Sequence, residues 1–158
     1  MSVESVRSYL APFGVADRVT EFTESSATVE LAAAVVGVIP ARIAKTLSFK
    51  NPDGGTFLIV AAGDAKVDNR KFKDKFGFKA KMLTAEEAIE LVGHAVGGVC
   101  PFAVNDGVEV YLDVSLKRFS TVFPAAGSSS SAVELNCDEL FECSAAIEWI
   151  DCCKIQEE

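Results

Sequence analysis

The chain holds a single histidine, His94, among its 158 residues. It therefore has no H-E-x-x-H motif, and the zinc-bound water of that class of hydrolase is excluded. Its five cysteines, Cys100, Cys137, Cys143, Cys152 and Cys153, form no C-x-x-C pair. One histidine and scattered thiols argue against a structural zinc site. The odd number of cysteines argues against a disulfide framework and points to a reducing, cytoplasmic setting. There is no G-x-S-x-G nucleophile elbow, no phosphate-binding G-x-x-x-x-G-K-S/T and no G-x-G-x-x-G fingerprint. No run approaches the roughly 18 apolar residues that cross a bilayer. The N-terminal MSVESVRSYL carries Glu4 early and lacks a hydrophobic signal region, so no membrane partner is expected. A hydrolase built from this sequence would have to work by positioning and electrostatics, without a conventional triad, and no cofactor is expected.

The apolar fraction is 49% and the mean hydropathy is +0.26. That composition describes a globular chain, and the length suits a single domain over residues 1–158. The net charge of −8 argues against nucleic-acid binding over the whole surface. The charge is unevenly spread, however. Asp64 to Lys81 holds seven basic residues (Lys66, Arg70, Lys71, Lys73, Lys75, Lys79 and Lys81) against three acids, a local charge of +4, so the remainder carries −12. Such a run reads either as a solvated helix face or as a landing strip for a phosphate backbone.

Helices are predicted over Val3–Leu10 behind Ser2, over Thr28–Val36 up to Gly37, and over Asp68–Phe76 up to Gly77. Thr84-Ala-Glu-Glu87 reads as a capping box opening a helix to Val92, and Asn136 as the cap of a short one. Strands are predicted at Arg18–Phe22, Ile43–Lys50, Thr56–Ala62, Lys79–Leu83, Val108–Leu112, Phe119–Phe123, Ala132–Leu135 and Ala146–Ile150. Asn51-Pro-Asp-Gly-Gly55 turns the second into the third as a hairpin. This order of hairpins and helices suits a mixed or barrel-like α/β sheet better than a doubly wound one.

Alternation along Ile43–Phe49 places Lys45 on a face with Ile43, Leu47 and Phe49. Such a lysine either lays its stem on apolar surface and keeps its ammonium in water, or projects into a pocket to meet a carbonyl or phosphate oxygen. The stretch Leu91–Val104, LVGHAVGGVCPFAV, is apolar, glycine-rich and stiffened by Pro101. Its backbone N–H groups can hold a carbonyl oxygen, or the glycines simply turn the chain. Cys100 reads as a small buried residue more readily than as a nucleophile, and His94 as a loop histidine. The small-residue stretch Ala125–Ser131 reads as a linker or as the edge of a pocket.

Lys45-Thr46-Leu47, the loop Gly97-Gly98-Val99-Cys100-Pro101-Phe102 and Gly127-Ser128 fall in one order and at one spacing. In this the chain resembles, over roughly Val19 to Ile150, the YbaK/ProX family of free-standing relatives of the prolyl-tRNA synthetase editing domain. The resemblance implies one compact mixed α/β domain with a partly barrel-like sheet flanked by helices. It implies a metal-independent, cytoplasmic trans-editing deacylase for tRNA-Pro carrying a small wrong amino acid, cysteine or alanine. It assigns the chemistry to Lys45, Gly97 and Gly98, and substrate binding to Thr46, His94, Val99, Cys100, Pro101, Gly127 and Ser128. The tRNA would be held by Lys66, Arg70, Lys71, Lys73 and Lys75, with an aminoacyl-tRNA synthetase as a further partner, and the protein as a monomer or homodimer. The serine run beyond Ser128 departs from the basic or glycine-rich versions of cysteine-specific members, which leaves the amino-acid specificity open. Two other readings stand beside this one: a catalytically silent module that senses an amino acid or aminoacyl-tRNA, and an unrelated small domain whose lysine and loop are structural.

Overall fold

The computed structural model describes residues 2–23, 28–95 and 98–156. The helices are α1 (Val3–Leu10), α2 (Val29–Val36), α3 (Asn69–Phe76), α4 (Ala85–Glu87) and α5 (Cys137–Cys143). The strands are β1 (Val19–Glu21), β2 (Ile43–Lys50), β3 (Thr56–Ala62), β4 (Ala65–Val67), β5 (Glu109–Asp113), β6 (Phe123–Pro124), β7 (Ser131–Val133), β8 (Trp149–Ile150) and β9 (Cys153–Ile155). The main sheet has the order β6-β2-β3-β5-β8, and β1-β7 and β4-β9 form two small ribbons. Only β2 and β3 run antiparallel within the main sheet; the other three pairings are parallel. The domain is thus mixed α/β as expected, but its sheet is open and not a closed barrel.

Local signals explain most elements. Ser2, Thr84 and Asn136 each complete a capping box, and Asp68 accepts from the N–H groups of Arg70 and Lys71. The hairpin β2–β3 pairs from Ala44↔Ala62 to Lys50↔Thr56, the register that the Asn51–Gly55 turn requires. Strand β3 is the centre of the molecule, with Phe57 to Ala62 all buried. A strand buried on both faces reads as a continuous apolar run rather than an alternating one. On one side Phe49, Phe57, Phe72, Phe76, Phe78 and Tyr111 form an aromatic cluster with ring centroids 4.7–6.1 Å apart. Phe72 and Phe76, one helical turn apart, anchor α3 to it.

Several expected elements differ. Lys79–Leu83 is no strand; only Met82 bridges Phe49. The helix after Thr84 is α-helical for three residues and then widens into a π turn over Ala88–Val92. Phe119–Phe123 shrinks to Phe123–Pro124, because Val114–Arg118 coils into a 3-10 helix and Val122 bridges Leu135 instead. The Ala132–Leu135 strand sits one residue earlier, at Ser131–Val133, and Ala146–Ile150 contracts to Trp149–Ile150. The ribbon β4–β9 has no counterpart in the sequence reading, since three-residue strands carry too few alternations to register. No helix among the described residues is long and apolar enough to cross a membrane.

Candidate functional site: a cavity on the free edge of β2

Strand β2 has β3 along one side for nearly its whole length, but its other side is covered only at the ends. Residues Ile43 and Ala44 pair with Phe123 and Pro124 of β6. At the far end Leu83 N–H donates to the Ser48 carbonyl and Lys50 N–H donates to the Lys81 carbonyl. Between these two seams lies a cavity of about 240 Å³. Its walls include Thr28, Val29 and Ala32 from α2, Met82 to Thr84 before α4, and Ala125, Ser131 and Ala132 from the segment after β6. Ile43, Ala44, Lys45, Thr46 and Ser48 all line it. Residues of both strand faces touch one cavity because the cavity lies on the strand's edge.

Lys45 is half-buried in this wall, and its ammonium has no hydrogen-bond or ion-pair partner among the described residues. Burial pushes its pKa below the ordinary lysine value, while the more distant charges of Asp64 and Glu30 pull it partly back. Asp64 is not its ion-pair partner; both of its carboxylate oxygens are held by Arg118 at 3.1 and 2.5 Å. That pairing holds the Asp64 carboxyl below its usual range. A partly desolvated ammonium on the wall of a cavity, unpaired among the described residues, is suited to an anionic or carbonyl oxygen.

Of the glycine loop, Gly97 lies outside the described residues. Gly98 is buried, and a Cβ there would meet the backbone of Ser128 at 2.8–3.0 Å. The two loops singled out in the sequence are therefore packed backbone to backbone, and Gly98 is required by that contact. Its N–H donates to the Ala95 carbonyl, so it is not available to an incoming oxygen. Val99 is the loop residue that lines the cavity, and its N–H has no partner among the described residues. Gly127, at φ +100°, sits where a Cβ would strike the Ser2 carbonyl. Ser128 and Ser131 bond each other and the N–H groups of Ala126, Ser128 and Ser130. The serine run is thus a closed turn at the cavity edge rather than a linker.

His94, Cys100 and Pro101 stand behind the wall. His94 is fully buried, and its Nε2–H donates to the Phe102 carbonyl at 2.7 Å, which fixes the exit of the loop. Its Nδ1 is buried without a partner among the described residues, and burial lowers its pKa. Cys100 is fully buried and its thiol is pushed up to about 12. The nearby His94 Nε2, 3.6 Å from Sγ, already carries the proton it gives to Phe102. No base is placed to activate this thiol, so Cys100 supports the loop and does not line the cavity. Pro101 is likewise buried.

The basic residues divide into two sets. Lys71 binds Asp151 and the Cys153 carbonyl, both at 3.1 Å, and Lys75 binds Glu148 at 2.8 Å. Lys66, Arg70 and Lys73 are exposed with no ion-pair partner among the described residues, and Lys66 stands across the β4–β9 ribbon from Lys154. One group of three potential metal ligands occurs among the described residues: Asp113, Cys152 and Cys153, all buried. Asp113 already accepts from the N–H groups of Ser115 and Cys152, so the group ties β5 to the C-terminal segment.

The aminoacyl-tRNA editing domain model matches residues 23–143. The chain is 56% identical to the uncharacterized protein YwhH of Bacillus subtilis (strain 168) over 98% of each sequence. It is 29% identical to a proline–tRNA ligase of Bacillus licheniformis, over 69% of this chain but only 19% of the ligase. Among solved structures, a candidate trans-editing enzyme for prolyl-tRNA synthetase superposes with a TM-score of 0.86 at 29% identity, covering 99% of this chain and 97% of that one. With three quarters of its length under one family model, this chain belongs to the aminoacyl-tRNA editing domain family.

Proposed function

We propose that the protein is an aminoacyl-tRNA deacylase acting on tRNA-Pro that carries a small wrong amino acid, cysteine or alanine in the first instance. The observation that carries this reading is the unpartnered, half-buried ammonium of Lys45 on the wall of a cavity. At about 240 Å³ that cavity is smaller than the ~300–1,000 Å³ typical of sites for drug-sized ligands, which suits a small acyl group. The likeness to a candidate trans-editing enzyme for prolyl-tRNA synthetase supports the choice of tRNA.

An aminoacyl ester is already activated, so the protein needs only to position it and stabilise charge. Water adds to the ester carbonyl, the bond from that carbon to the ribose oxygen breaks, and the departing ribose oxygen takes a proton from the water to become the hydroxyl. Free amino acid and uncharged tRNA leave. Lys45 neutralises the oxygen charge of the substrate, either at the reacting ester or at the adjacent phosphate. The N–H of Val99, unpartnered among the described residues, is the loop donor suited to the carbonyl oxygen. The tRNA body lies along the exposed Lys66, Arg70 and Lys73, and a synthetase supplies further contacts.

The test is deacylation of tRNA-Pro charged separately with alanine, cysteine, serine and proline, with Lys45→Ala as control. Hydrolysis of a wrong amino acid that disappears in Lys45→Ala, with proline left attached, supports the reading. A folded protein that binds the charged tRNAs and hydrolyses none of them would instead be a silent binding module.

A further inference from the structure

Five hydroxyl-bearing residues line the cavity: Thr28, Thr46, Ser48, Thr84 and Ser131. Three are committed to the fold. Thr28 Oγ1 caps α2 through Leu31 N–H, Thr84 Oγ1 caps α4 through Glu87 N–H, and Ser131 Oγ accepts from Ala126 and Ser128. The remaining two sit two positions apart on one face of β2. Thr46 Oγ1 is buried with no hydrogen-bond partner among the described residues. Ser48 is only 7% exposed, and its hydroxyl makes no bond among the described residues. A buried hydroxyl without a partner is costly, and no described residue recovers that cost for Thr46. Thr46 remains partly exposed as a residue, so a turn about χ1 exchanges its methyl for its hydroxyl at the cavity surface.

The backbone adds to this. In an antiparallel ladder alternate residues direct their N–H and C=O to opposite sides. Ser48 and Lys50 bond outward, to Leu83 and Lys81, so Thr46 also faces outward, into the gap where β2 has no neighbour. Its carbonyl is placed to accept from an α-ammonium, the group every aminoacyl ester carries. The two hydroxyls are then left for the part of the substrate that varies.

Resting on the deacylase reading above, we infer that Thr46 and Ser48 determine amino-acid specificity, and that they select an acyl group with a hydroxyl or thiol side chain over alanine. A site built to hydrogen-bond a substrate group discriminates against the analogue that lacks it, because its own polar groups are then left unpaired.

The experiment compares kcat/KM for tRNA-Pro charged with serine, cysteine and alanine. It uses the wild-type protein, Thr46→Val, Ser48→Ala, the double variant, and Thr46→Ser as the conservative control. The ratio between two substrates does not depend on the fraction of folded enzyme, so partial loss of fold leaves the readout intact. The wild type is expected to favour serine or cysteine over alanine by about tenfold, the effect of one net hydrogen bond. The double variant should bring the ratio to near one, while Thr46→Ser keeps it. Alanine hydrolysed as well as serine and cysteine by the wild type would overturn the inference, as would an unchanged ratio in the double variant, and either result leaves the deacylase reading standing. No Lys45-dependent hydrolysis of any substrate would overturn both.

Discussion

At the scale of the residue, Lys45 is a charge that the fold tolerates rather than uses. Burial holds its folded pKa below the unfolded value. Between those two values the unfolded chain binds more protons, so stability rises with pH across that window and is lowest where the lysine is charged in both states. Lys45→Met should therefore abolish deacylation without lowering the unfolding midpoint at neutral pH, and its advantage over wild type should shrink as pH rises into the window. Thermal melts at several pH values check both parts, and a clear loss of midpoint would make the lysine structural. In the proposed mechanism Lys45 acts as the ammonium, so kcat/KM should fall as pH rises, with a limb below the ordinary lysine value. Gly98 behaves differently. The resemblance assigned Gly98 to the chemistry, but a Cβ there would meet the Ser128 backbone, which cannot swing aside. Gly98→Ala should cost about 1–3 kcal/mol of stability, as overpacking does, measured by denaturant unfolding. Lost activity at unchanged stability would return the glycine to the substrate.

At the scale of the element, α3 shows how a charge run is partitioned by packing. Phe72 and Phe76 bind the helix to the aromatic cluster, which turns Lys71 and Lys75 toward Asp151 and Glu148 and leaves Arg70 and Lys73 outward. Reversing Arg70 and Lys73 to glutamate should weaken tRNA binding and reduce the salt slope by about two, since each phosphate contact contributes roughly 0.9. Reversing Lys71 and Lys75 should act mainly on stability, and modestly, because exposed ion pairs contribute about 0–1 kcal/mol each. Titrations at several salt concentrations separate the two pairs; equal effects on the slope would mean that all four reach the tRNA.

For the whole molecule, the net charge of −8 opposes a polyanion everywhere except near β4 and α3. Capture of tRNA by this chain alone should be weak and steeply salt-dependent. Adding prolyl-tRNA synthetase should raise the deacylation rate at limiting tRNA by holding the substrate nearby. A rate indifferent to the synthetase would place every tRNA contact on this chain.

Much was legible in the sequence because it depends on neighbours along the chain. Capping residues, the Asn51–Gly55 turn and the apolar run of Thr56–Ala62 are local signals, and the elements they predict lie where expected. The Lys45 and glycine-loop motifs were legible as spacing. Tertiary structure alone decided the rest, because it depends on which distant groups meet. It brought Gly98 against Ser128, gave Asp64 to Arg118 and so left Lys45 unpaired, and withdrew Cys100 behind the wall. It also left β2 uncovered between Ala44 and Ser48, and an uncovered strand edge has no signature in a sequence. The edge lies open where β6 stops after two residues and the segment before α4 bonds β2 only at Ser48 and Lys50.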